Sequence, residues 1–87
     1  MGKPVSVTRV ERWFIERRPS SRTGKWRGFL WFDNPGKTGE YKHTSAIAAV
    51  DLERRLVTTH SGSVYLLGTP RSGQGFPFPI DFELAGT

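Results

Sequence analysis

The chain contains no cysteine, a single methionine and only two histidines in 87 residues. Without cysteine there is no disulfide framework and no thiolate zinc site. Two imidazoles, His43 and His60, supply too few soft ligands for a metal centre unless the fold converges them with Asp51 or Asp81. No apolar run approaches the roughly 20 residues of a membrane span, and no apolar signal segment follows Met1. The expected address is therefore cytoplasmic, with no membrane partner and no cofactor.

Another shortage is local. Between positions 17 and 27 there is no acid, while Arg17, Arg18, Arg22, Lys25 and Arg27 all fall there. Residues 1–42 hold ten bases against four acids, a net +6. Residues 43–87 hold three bases against four acids, or −1. The overall +5 is thus concentrated in the N-terminal half, mostly as Arg, the residue suited to bidentate phosphate or carboxylate contacts and to stacking on flat rings.

Aromatics are plentiful by contrast: three Trp, two Tyr and six Phe. Side chains burying about 150–250 Å² each give so short a chain a core. The length allows one domain, 1–87, with 1–4 as a flexible lead. Val5 to Arg17 lacks Gly and Pro and is rich in β-branched and aromatic residues, which predicts one long strand, its imperfect alternation explained by a bulge near Arg9–Val10 or by burial on both faces. Arg18 to Gly24 (RPSSRTG) is a turn, and Lys25 to Phe32 (KWRGFLWF) a second strand, so the bases gather at a hairpin tip. Asp33 to Gly39 (DNPGKTG) turns the chain again. Residues 46–51 and 55–60 read as strands around a turn, although the alanines leave a short helix near 45–55 as the alternative. Val64–Leu67 is a further strand after the Ser61-Gly62-Ser63 turn. The fold class is mainly β: a small antiparallel sheet or half-open barrel of five or six strands, with α+β as the alternative.

At the C-terminal end Phe76, Phe78, Ile80, Phe82 and Leu84 alternate with Pro77, Pro79, Asp81 and Glu83. The period of two predicts an extended element over 76–84. Its prolines confine it to an edge strand or an arm. The plain reading is a tail that closes its own core. The sharper one makes Phe76, Phe78, Ile80 and Phe82 a protein interface, through which a homodimer could form.

Three chemistries are weighed. Gly36-Lys37-Thr38 echoes a phosphate-binding loop, but position 31 is Trp where the motif needs Gly, and no helix follows. A ribonuclease-like toxin would need a carboxylate, a His and cations around a phosphate. Glu53, His60 and Arg54 or Arg55 supply the types without an informative spacing. The remaining candidate is the basic, aromatic-laced hairpin, in which Arg12, Arg17, Arg18, Arg22, Lys25, Trp26 and Arg27 would contact DNA or RNA. Cations meet phosphates and rings stack on bases. The plain alternative is a solvated basic face over an aromatic core. The expected function is a non-catalytic nucleic-acid-binding module. The rival is a small inhibitor or adaptor that docks an acidic protein surface on a nucleic-acid-handling machine. Basic domains of this size are common in phage and mobile elements, including inhibitors of bacterial immunity.

Overall fold

The computed structural model describes residues 6–37 and 39–85. Six strands run in chain order: β1 (Val7–Val10), β2 (Phe14–Pro19), β3 (Trp26–Asp33), β4 (Tyr41–Asp51), β5 (Leu56–Thr59) and β6 (Val64–Leu67). They form one mixed sheet in the order β1-β6-β5-β4-β3-β2. The mainly β fold class expected from the sequence is what the chain adopts, with no helix among the described residues. Residues 1–4, expected to be a flexible lead, lie outside the described residues.

The order puts two strands that are consecutive in the chain at opposite ends of the sheet. Five interstrand spacings of about 4.8 Å would hold those ends some 24 Å apart in a flat sheet. The residues from Val10 to Phe14 reach only about 13 Å at roughly 3.3 Å each. The sheet must therefore curl until its ends nearly meet, yet it does not close into a barrel.

The seam corrects the single long strand predicted over 5–17. The extended run breaks at Glu11–Trp13, where Arg12 takes φ +50°. Its first half pairs with β6 and its second half with β3. The chain keeps its heading across the break. Strands β2 to β6 alternate in direction, so β2 and β6 point the same way, and β1 meets β6 in parallel rather than antiparallel. Loop 68–71 stitches the corner: Gly68 N–H donates to Val10 O at 2.9 Å, Arg12 N–H to Thr69 O at 2.7 Å, and Arg71 N–H to Trp13 O at 2.8 Å. The Glu11 carboxylate lies against Gly68, where any Cβ would overlap it, and accepts the Thr69 N–H at 2.7 Å. That bond and Arg9 hold the Glu11 carboxyl below its ordinary range.

The long β4 settles the ambiguity at 44–56 in favour of strand. Val50 and Asp51 continue into β5 through a turn in which Asp51 Oδ1 accepts the Arg54 N–H at 3.0 Å and Arg55 adopts φ +61°. Helix propensity in the alanines is overridden because Thr44 and Ile47 are buried on the sheet while their neighbours are not.

Trp13 is fully buried at the centre of the core, with Ile15, Leu30, Phe32, Ile47, Val57 and Leu67 around it. Its indole N–H donates to Gly68 O at 2.9 Å, and Phe76 and Phe78 meet it edge-on. Of the edge strand and the arm expected over 76–84, the segment takes the form of the arm: with two prolines it forms no strand, only an isolated parallel bridge between Arg27 and Glu83, and it lies on the core. Phe78 and Phe82 are buried, Phe82 against Gly28, and Glu83 N–H and Ala85 N–H donate to Trp26 O and Ile47 O. The tail closes its own core. Of the four residues read as a possible interface, Ile80 alone is exposed, at 43%, while Phe78 and Phe82 are buried within the chain itself.

Candidate nucleic-acid interface

Alternation along β2 and β3 sorts the hairpin into two faces. Ile15, Gly28, Leu30 and Phe32 point into the core, which leaves Phe14, Glu16 and Arg18 on the outer face opposite Trp31, Phe29 and Arg27. Strand β4 adds Tyr41 opposite Asp33 and His43 opposite Trp31. The outer face therefore collects rings from three strands.

These rings form a column that runs across the strands. Phe14 and Trp31 stack with centroids 5.9 Å apart and planes 8° apart. Trp31 and His43 stack at 4.6 Å and 28°. Arg71, from the loop after β6, places its guanidinium 4.8 Å from the Phe14 ring and 5.6 Å from that of Tyr41. Glu16 Oε1 accepts both the Trp31 indole N–H and the Arg18 Nε–H at 2.8 Å, which fixes the central ring and aims Arg18 over Phe29 at 5.2 Å.

The seven residues predicted to bind nucleic acid do not act as one patch. Arg17 is on the inner face. It pairs with Asp81, donates to Pro79 O at 3.2 Å and lies over the Phe82 ring, so it anchors the tail. Arg17 in turn holds the Asp81 carboxyl below its ordinary range by hydrogen bonding. Lys25 Nζ stands 3.9 Å from Glu83. Arg12 sits at the seam with Asp33, its Nη2 3.3 Å from Oδ1 without hydrogen-bond geometry. Trp26 is exposed, at 51%, on the same side of β3 as Gly28 rather than in the column. The apparent absence of acids at 17–27 is thus partly made good by Asp81 and Glu83.

Arg18, Arg22 and Arg27 remain. Arg18 and Arg27 are directly opposed across β2 and β3 on the outer face. Arg27 Nε is buried without a hydrogen-bond partner, and among the described residues no ion pair engages Arg22 or Arg27. Like charges facing each other across a strand pair destabilise a sheet. Here Glu16 pairs with Arg18 at 2.8 Å and relieves part of that cost, while Arg27 has no ion pair among the described residues.

The column is what sequence reasoning missed. Phe14 and Trp31 lie in the aromatic-laced hairpin, but Tyr41, His43 and Arg71 come from distant segments and only the tertiary fold brings them in. The signal was there in part: Tyr41 and His43 alternate, as residues sharing one face of a strand do.

Other arrangements weighed on the sequence do not assemble. Gly36 and Lys37 lie in the β3–β4 turn, where the Asn34 side chain accepts the Gly36 N–H at 3.3 Å, and Thr38 lies outside the described residues. Glu53 and Arg54 occupy the turn before β5 and His60 the turn after it, separated by the strand's length of about 13 Å at roughly 3.3 Å per residue. Among the described residues no three His, Cys, Asp or Glu side chains are grouped to hold a metal. No helix of the described residues is long and apolar enough to cross a membrane. No protein-family model, curated protein or solved structure matches the chain.

Proposed function

We propose that the chain is a non-catalytic nucleic-acid-binding module that grips the phosphate backbone with the outer face of β2 and β3 and the tip between them. The observation that carries this reading is the opposed pair Arg18 and Arg27. Their Cα positions face each other across the two strands, Arg18 shared with Glu16 and Arg27 without an ion pair among the described residues, and a phosphate bound there would gain charge-assisted contacts from both. A phosphate matches this geometry because guanidinium binds it bidentately. Arg22, exposed on the tip, extends the positive track, and the adjoining rings supply surface for bases.

Anisotropy titration of labelled 12-nucleotide DNA and RNA tests the reading. Three neutralised phosphates correspond to an affinity loss of about 20- to 40-fold between 50 and 200 mM salt. Charge reversal at both Arg18 and Arg27 should abolish binding. Absence of binding by the wild type at 50 mM salt overturns the reading.

A second reading rests on Trp26. A half-exposed indole beside Lys25 is the kind of anchor that docks on a protein. It is favoured if a partner is retained from nuclease-treated lysate and lost in Trp26→Ala, while the nucleic-acid titration stays flat.

A further inference from the structure

We propose that the nucleic acid is bound as a single strand, one unpaired base lying on the free face of the His43 ring as the next layer of the aromatic column. This deepens the nucleic-acid reading above and rests on it.

The column has two unlike ends. At the β2 end Arg71 caps Phe14 with a guanidinium at 4.8 Å. At the β4 end His43 is exposed, stacks on Trp31 through one face, and among the described residues makes no other ring contact and no side-chain hydrogen bond. Among the described residues no strand pairs with the edge beside it. Strand β5 pairs with β4 only from Ile47 to Asp51, and one further bond joins His60 N–H to Ala46 O at 2.8 Å. The chain then turns away at Ser61–Gly62, where Gly62 takes φ +92°. Two residues along β4 from His43, the Ser45 hydroxyl accepts the Ser61 N–H at 3.1 Å and lies 3.3 Å from Ser61 Oγ.

Only an unstacked base can present a whole face to this end. In a duplex each base face is covered by its neighbours, whereas a single strand can splay one base out to stack on a side chain. The phosphate track lies on the same face. Arg27 is four residues from Trp31 along β3, about 13 Å at roughly 3.3 Å per residue. A strand stacked at His43 can therefore run on toward the Arg18–Arg27 pair.

The test compares 12-nucleotide DNA and RNA single strands with blunt duplexes of the same length, for the wild type, His43→Ala and His43→Phe. The DNA and RNA arms separate the two sources of the same base chemistry. Single strands should bind the wild type more tightly than duplexes do. His43→Ala should weaken single-strand binding by about 5- to 150-fold, the worth of one stacked base. His43→Phe should restore most of it, and duplex binding should be unchanged by either variant. In NMR spectra the His43 ring protons should move upfield on adding single strand while those of His60 stay in place. Equal affinity for duplex, or undiminished single-strand binding by His43→Ala, overturns this inference and leaves the phosphate grip intact. Failure of every oligonucleotide to bind at 50 mM salt overturns both.

Discussion

Arg17 and Asp81, 64 residues apart in the chain, form an ion pair that ties the acidic C-terminal segment to the basic hairpin. A residue that the charge distribution marks for a polyanion is occupied by the protein itself, while on the other face of the hairpin Arg18 is held by Glu16 and Arg27 opposite it has no ion pair among the described residues.

Binding should therefore divide the hairpin bases. Arg27→Ala and Arg18→Ala should each lower the salt slope of nucleic-acid binding by about one phosphate contact. Arg17→Ala should leave that slope nearly unchanged and lower the melting temperature instead. Titrations at several salt concentrations, paired with thermal melts, check both outcomes.

If the opposed guanidinium groups are kept for an anion, separating them should stabilise the free protein. Arg27→Gln should raise stability at low salt by roughly 0.2–1 kcal/mol, and the gain should shrink as salt screens the repulsion. Urea denaturation at two salt concentrations measures it. A loss of stability at low salt would count against the repulsion.

Acid should loosen the fold through two carboxylates. Glu11 and Asp81 both titrate below their ordinary ranges, Glu11 mainly through the Thr69 N–H and Asp81 mainly through Arg17. A depressed folded-state pKa gives stability that is fully present above the ordinary carboxylate value of about 4 and is lost as pH falls through the folded value. Melts from pH 7 down to pH 2 should show this acid limb, and Asp81→Asn should make it shallower.

The tail should behave as core. Phe78→Ala removes a buried ring, a change of about 3–5 kcal/mol. A domain of this length has roughly 4–13 kcal/mol in total, so the variant should lose from about a quarter to all of its stability, unfolding in water where the total is near the low end and otherwise melting well below the wild type. Size-exclusion chromatography with circular dichroism distinguishes these outcomes.

Close packing should also make two glycines unequal. A Cβ at Gly28 would lie 2.7 Å from the Phe82 ring, so Gly28→Ala should cost about 1–3 kcal/mol. Gly75 has open space around it, and Gly75→Ala should stay within about 0.5 kcal/mol of the wild type. Denaturant midpoints compare them directly.

The sequence by itself determined the strand content, the hairpin with its RPSSRTG turn, and the aromatic supply of the core, because β-branched and aromatic runs punctuated by Gly, Pro and Asn act locally. It also placed the bases in the N-terminal half. Only the tertiary structure decided which of them are available, since Asp81 and Glu83 are far from the hairpin in sequence and reach it through the burial of Phe78 and Phe82. It likewise split the run 5–17 between two ends of one curled sheet and brought Phe14, Trp31, His43 and Arg71 into one column. Alternation tells a residue which face it shares with its own strand. Which strands lie side by side depends on closing a core around Trp13, and that is a property of the whole chain.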